Sequence, residues 1–273
     1  MNYNLKNNSN PDWPIIPVKE NFEPYFIFLL SPPYSGSTAI SKIFINSTNV
    51  SQIHSKAEGQ WLIKGLCSKD RWEKNKFINI KSVRSVWTSR CLKAAGCKRV
   101  SYFIEKSPPN MMRIELLMSI FPNHLLLSNN RNPYASISSA FYRNNKMHYS
   151  ELSISNRTDK MMHIAKKWVN RSIILKEQII KHNIPHLSYE KFCEKPSILQ
   201  ENIDNALFRG AIKLNLMSKL KVKDYEPQLL NNMNNRQIKN LTKTDINIIS
   251  EILKDHKELL TFFGYGLHKS SIL

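Results

Sequence analysis

The stretch Tyr25-Phe-Ile-Phe-Leu-Leu-Ser-Pro-Pro-Tyr-Ser-Gly-Ser-Thr38 decides the fold. Tyr25 to Leu30 is an aromatic and aliphatic run of strand length, halted by Ser31, Pro32 and Pro33. A helix-compatible segment from about Ser37 to Ile45 follows. A loop that turns a strand into a helix directs backbone N–H groups and the positive end of the helix dipole at whatever anion enters. Gly36 permits close backbone approach, and the hydroxyls of Ser35, Ser37 and Thr38 are neutral donors for oxyanions.

The same alternation continues outward from this loop. Tyr102 to Ile104 is a second short strand stopped by Ser107 to Asn110, and Met112, Leu116 and Ile120 place a helix over Met111 to Phe121. Leu125 to Leu127 is a third strand, after which Asn132 and Pro133 open a helix reaching about Tyr142. Met161, Ala165, Trp168, Leu175 and Ile179 share one helical face, and Pro185 to Tyr189 resumes an extended segment. Thr242 to Phe262 is helical again, with Thr244 as its expected N-cap. Strands alternating with helices predict an α/β fold of three layers, a central parallel sheet flanked by helices. Ligands of such sheets sit at the carboxyl ends of the strands, which brings Ser31 to Thr38 and Asn129 to Ser139 to one edge.

Composition narrows the class. The 273 residues suit one domain with one sizeable core, expected over 25–267 between an N-terminal extension, 1–24, and a short tail, 268–273. No apolar run approaches the length of a membrane span, and the Asn-rich start lacks the apolar core of a secretory signal, so a cytoplasmic protein is expected. Cys67, Cys91, Cys97 and Cys193 show no metal-ligand spacing and are expected to be reduced thiols, with no metal site. Forty Lys and Arg against 21 Asp and Glu give a net charge of +19, which draws anions without naming one.

A nucleoside-triphosphate P-loop reads GxxxxGK[ST], its Lys reaching the β and γ phosphates and its hydroxyl holding magnesium. Here Ser37 follows Gly36 where that Lys belongs, and no apolar strand ends in an Asp suited to magnesium. The anion expected in this loop needs no metal.

Phe28-Leu-Leu-Ser-Pro-Pro-Tyr-Ser-Gly-Ser-Thr-Ala39 resembles the loop with which sulfotransferases bind the 5′-phosphosulfate of 3′-phosphoadenosine 5′-phosphosulfate (PAPS). Leu125-Leu-Leu-Ser-Asn-Asn-Arg-Asn-Pro-Tyr-Ala-Ser-Ile-Ser-Ser139 resembles that family's 3′-phosphate segment, with Arg131 and Ser139 at the matching positions. Glu105-Lys-Ser-Pro-Pro-Asn110 is similar to a strand-end segment of bacterial and Golgi-type members. Leu187-Ser-Tyr-Glu190 and Phe262-Phe-Gly-Tyr265 are similar to its later motifs. The resemblance implies a P-loop NTPase-like sulfotransferase fold and PAPS as sulfonyl donor. It further implies a cofactor site at Tyr34, Ser35, Gly36, Ser37, Thr38, Arg131 and Ser139, with Tyr189 and Arg236 near the adenine.

The chain departs from the family at Tyr34, where a Lys or Arg usually contacts the bridging oxygen. A phenol offers one neutral hydrogen bond in place of a charged one. Lys106 is the expected substitute cation. The resemblance also implies the base, Glu58 in Lys56-Ala-Glu-Gly-Gln60, after the cofactor loop where related sulfotransferases often place a Glu and made accessible by Gly59, with His54 as the runner-up. The acceptor, whether carbohydrate, lipid, peptide or small alcohol, is expected to meet Gln60 to Gly96 and His148 to Arg157. Rival readings are a nucleotide-dependent phosphotransferase, a noncatalytic PAPS-binding protein, and a nucleic-acid-binding module. The last lacks any helix-turn-helix, RRM or zinc signature, and its basic residues are dispersed, so stable nucleic-acid binding is not expected.

Overall fold

The structure, a computed structural model, describes residues 22–47, 49–97, 101–144, 153–207, 210–222 and 226–268. Most of the expected N-terminal extension, 1–21, and the tail beyond 268 therefore lie outside the described residues. Five parallel strands form one sheet in the order β2-β3-β1-β4-β5. They are β1 (Tyr25–Leu30), β2 (Val50–Gln52), β3 (Tyr102–Glu105), β4 (His124–Asn130) and β5 (His186–Ser188). The helices are α1 (Ser37–Ile45), α2 (Ile80–Cys97), α3 (Ile114–Ile120), α4 (Pro133–Asn144) and α5 (Ile154–His182). They continue with α6 (Tyr189–Glu194), α7 (Ser197–Ala206), α8 (Asn234–Ile238), α9 (Lys243–Leu253) and α10 (Lys257–Phe262).

The central strand β1 pairs with β3 on one side and β4 on the other, for example Phe28 with Glu105 and Leu29 with Leu127. Its apolar run is continuous because both faces are covered. Phe26, Phe28 and Leu30 point into a core with α2, α3, α4, α5 and α9, while Ile27 and Leu29 point into a second core with α1, α6 and α7. This is the expected three-layer α/β architecture. Each fully buried large apolar side chain contributes about 1.5–3 kcal/mol, so β1 alone supplies an amount comparable to the net stability of a domain.

Several boundaries differ from the expected ones for identifiable reasons. Strand β4 runs past Leu127 through Ser128, Asn129 and Asn130, all fully buried, because their side chains find partners inside. Asn129 donates to the Leu187 carbonyl at 3.0 Å and Asn130 to Ser172 Oγ at 3.1 Å. Met111 to Phe121 is divided between a 3₁₀ turn, Pro108–Met112, and α3. Tyr189 ends no strand but opens α6, capped by Ser188, whose side chain accepts from the Lys191 N–H. The N-cap of α9 is Thr242 rather than Thr244, since Thr242 and Asp245 form a reciprocal capping box. Asp245 also pairs with Arg157 at 2.6 Å and so ties α9 to α5. The expected apolar face of α5 is in place, with Met161, Ala165, Trp168 and Leu175 buried. No helix among the described residues is long and apolar enough to cross a membrane.

His186 lies between Ser128 Oγ, 3.1 Å from its Nδ1, and the Phe263 ring. Burial, assisted by Lys191, lowers its pKa from 6.5 to about 4. Between those values the unfolded chain binds the proton and the folded protein does not, so stability is expected to fall as pH falls through that window. The loss approaches ~3 kcal/mol below pH 4. Denaturant titrations at stepped pH check it, and a His186→Gln variant should show a flatter slope over the same window.

Candidate active site

Every strand of the sheet delivers a candidate residue from its carboxyl end: Tyr34 to Thr38 after β1, Glu58 after β2, Lys106 after β3, Arg131 after β4 and Tyr189 after β5. The loop after β1 is held from within. Ser35 is fully buried and its hydroxyl donates to the Pro32 carbonyl at 2.7 Å, so it braces the loop and does not face an oxyanion as expected. Tyr34 and Gly36 take positive φ values of 69° and 83°. Gly36 is the N-cap of α1 and no side chain caps that helix, which leaves its first N–H groups directed at the cavity beyond. A Cβ on Gly36 would stand 2.3 Å from Cδ2 of Tyr189, so the ring closes directly over the glycine.

Arg131 is 5% exposed and is aimed by neutral partners. Its Nε donates to Asn234 Oδ1 at 2.8 Å, its Nη1 to the Tyr34 carbonyl at 3.3 Å, and its guanidinium lies 4.4 Å from the Tyr189 ring centre. Asn234 in turn donates to Glu190 Oε1 at 2.7 Å. The same carboxylate accepts from the Asn132 N–H at 2.9 Å and from the Tyr265 hydroxyl at 3.2 Å. Motifs distant in sequence, those ending in Arg131, Glu190 and Tyr265, thus meet at one half-buried carboxylate.

One cavity gathers these groups. Gly36, Ser37, Thr38, Arg131, Ser139 and Arg143 line it together with Tyr189 and the apolar side chains of Leu220, Val222 and Leu229, and among the described residues no carboxylate does. Arg143 was not singled out from sequence, although it lies one turn beyond Ser139 on the same face of α4. Arg236 is exposed on α8 and does not line the cavity. The Asn234 to Ile238 segment reaches it through Gln237, while Asn234 steadies Arg131.

Beside this cavity Lys106 Nζ and Glu58 Oε1 form an ion pair at 2.8 Å, with Lys106 buried. Glu58 Oε2 also accepts from Gln60 Nε2 at 2.9 Å and Trp61 Nε1 at 2.8 Å. Burial raises the Glu58 pKa, but Lys106 and these donors outweigh it, so the carboxyl titrates below its usual value of 4.5 and is ionised at neutral pH. Glu105, fully enclosed behind it, accepts from the Gly59 N–H at 2.6 Å, the Ser107 N–H at 3.0 Å and Asn110 Nδ2 at 3.1 Å. Burial pushes its pKa up to about 7 in spite of those donors. Glu105 thereby fastens the Glu58 turn to the end of β3.

Gly59 does not serve accessibility as expected. A Cβ there would meet Ile53 at 2.6 Å and the Trp87 ring at 2.8 Å, and its carbonyl accepts from Trp87 Nε1 at 3.2 Å. His54 borders none of the three cavities that meet at Tyr34. Its Nδ1 accepts from the Lys56 N–H at 3.3 Å, and burial together with Lys56 lowers its pKa.

Tyr34 stands where the three cavities join, and Glu58 and Trp61 border two of them. One holds Thr38, Lys42, Lys106 and Arg143. The other is a cleft between the Pro32 and Pro33 turn, Trp61, Arg71 and Trp72, and α5. The expected acceptor segment Gln60 to Gly96 contributes to this cleft. Of His148 to Arg157, residues 148–152 lie outside the described residues and 153–157 do not line it.

The sheet and helices are similar to those of a sulfotransferase from Alicyclobacillus acidocaldarius, at 12% identity and a TM-score of 0.52 over 90% of this chain and 98% of that one. Sulfotransferase STF9 from Mycobacterium avium aligns at 13% identity and a TM-score of 0.49 over 87% of this chain and 78% of its own. No curated protein matches the sequence. A family model described as the sulfotransferase family matches residues 24–205, which hold the β1 loop, the Glu58–Lys106 pair, Arg131, Ser139 and Tyr189, and on that match the chain belongs to the sulfotransferase family.

Proposed function

We propose that the protein transfers a sulfonyl group from PAPS to the hydroxyl or amine of an acceptor. The observation that carries the reading is the cavity in which the N-terminus of α1 faces Arg131, Ser139 and Arg143, with no carboxylate among its described lining residues and the Glu58–Lys106 pair alongside. Its donor set fits an anionic nucleotide: first-turn N–H groups and Thr38 for the 5′ end, the α4 face for the 3′-phosphate, and Leu220, Val222 and Leu229 for the base. The donor supplies an activated sulfonyl group, so transfer forms the acceptor O–S bond, breaks the S–O bond to phosphate and leaves that electron pair on phosphate.

The chain's own groups serve the two ends of that exchange. Glu58, ionised at neutral pH, takes the acceptor proton, and Lys106 keeps the carboxylate charged and oriented. Negative charge growing on the phosphate meets the α1 N–H groups, with Lys106 and Arg143 bordering the adjoining cavity where Tyr34 supplies no cation. We also read the protein as cytoplasmic, consistent with Cys67, Cys91 and Cys193 being free thiols.

Tyr34 favours a second reading, a protein that binds the nucleotide without transfer. Incubation of the full chain with sulfur-labelled PAPS and a mixture of hydroxyl acceptors, without magnesium, separates the two. Acceptor-dependent release of adenosine 3′,5′-bisphosphate supports transfer. Nucleotide binding with no release across the mixture supports the noncatalytic reading.

A further inference from the structure

Helix α5 turns a basic stripe toward the cleft beside Tyr34. Lys160, Lys167 and Arg171 recur on the face that lines it, and Arg71 approaches from the opposite wall. Among the described residues Glu58 is the only carboxylate lining this cleft, and it is already engaged by Lys106, Gln60 and Trp61. No carboxylate partners Arg71, Lys167 or Arg171 among the described residues. Arg171 stacks 4.2 Å from the Trp72 ring centre. Burial lowers its pKa to about 10, with Tyr34 opposing and Arg71 adding to the shift, so it stays charged at neutral pH in a poorly solvated place.

Like charges one turn apart on a helix repel, and a half-buried guanidinium without an anion costs desolvation. Two further donors in the cleft wall lack partners. Ser136 Oγ and Trp168 Nε1 are buried and make no hydrogen bond among the described residues. A solvated surface stripe would explain the lysines, but not buried donors set beside aromatic faces in a cleft that shares Glu58 with the reacting corner.

We propose that this cleft selects a ring-bearing acceptor that carries its own anionic group. Arg71, Lys167 and Arg171 hold the acid, the ring lies against the tryptophans that line the cleft, Trp61 and Trp72, and a hydroxyl reaches Glu58. The inference rests on the sulfotransferase reading and names the acceptor class for that site.

The test is calorimetric titration of the full chain, with and without saturating adenosine 3′,5′-bisphosphate. Two probe pairs are used: a uronate-containing disaccharide with its methyl ester, and 4-hydroxyphenylacetate with its methyl ester. The acid is expected to bind at least tenfold more tightly than its ester in one pair or both, with the preference shrinking as salt rises. The pair that responds tells a sugar acid from an aromatic acid. An Arg171→Gln, Lys167→Gln variant should bring acid and ester within threefold while nucleotide affinity is unchanged, and Lys167→Glu alone, at an exposed position, should reverse the preference without a folding defect. Equal binding of acid and ester in both pairs, or a preference that survives the substitutions, overturns the proposal. Failure of the nucleotide to bind overturns the underlying sulfotransferase reading instead, and the arm without nucleotide keeps the two failures apart.

Discussion

Gly36→Ala is expected to lower the thermal midpoint by on the order of 10 °C and to remove measurable nucleotide binding. Two costs add at this position. Left-handed backbone at φ 83° costs a residue with a Cβ about 1–2 kcal/mol. Overpacking against the Tyr189 ring, 2.3 Å from the new Cβ, costs about 1–3 kcal/mol more. The ring cannot step aside cheaply, because its hydroxyl donates to the Asn231 carbonyl at 3.0 Å and accepts from the Met233 N–H at 3.3 Å, and Arg131 lies against its face. Displacing Tyr189 therefore also displaces the proposed 3′-phosphate ligand. Gly210→Ala supplies the control, since Gly210 has the same φ of 83° and no described residue within 4 Å of the added atom. It should show the backbone cost alone and keep nucleotide affinity. Equal damage from the two substitutions, by thermal melts and nucleotide titration, would contradict the packing argument.

Glu58→Gln is expected to reduce turnover about 10²–10⁴-fold, the usual contribution of a positioned general base, with nucleotide affinity within threefold of the parent. The amide keeps the shape, but its single carbonyl oxygen can accept either from Lys106 or from Trp61 and Gln60, so thermal melts beside the turnover assay separate a local folding cost from loss of the base. Because Lys106 and the neighbouring donors lower the Glu58 pKa, the acid limb of the parent's rate profile should lie below pH 4.5 and the rate should be insensitive to this group near neutrality. Parent-like turnover in the variant would remove Glu58 from the reaction.

The fold was legible because β1 is an uninterrupted apolar strand that ends in a Ser, Pro and Gly turn, and because Arg131 and Ser139 follow the strand begun by Leu125 in the expected order. What escaped depended on contacts made across the chain. The polar end of β4 looks like a turn until Asn129 and Asn130 find Leu187 and Ser172. Strand β2 is only Val50–Gln52, too short for periodicity to declare itself, and α2 carries polar and basic residues around much of its surface. Ser35 and Gly59 sit in the right segments for other reasons than expected: one hydroxyl turns inward to Pro32, and one glycine makes room for Trp87. Arg143 could have been found by stepping one helical turn beyond Ser139. The basic stripe of α5 could not have been separated from forty dispersed cations before its face was known to line the cleft.

The most direct measurement of the central claim is calorimetric titration of the full chain with adenosine 3′,5′-bisphosphate, without magnesium, beside an Arg131→Ala, Ser139→Ala variant. The account predicts binding in the low micromolar range, about −8 kcal/mol, and a loss of about a hundredfold or more in the variant, which removes a charge-assisted contact and a hydroxyl from one phosphate. No binding by the folded parent, or equal binding by parent and variant, would contradict it.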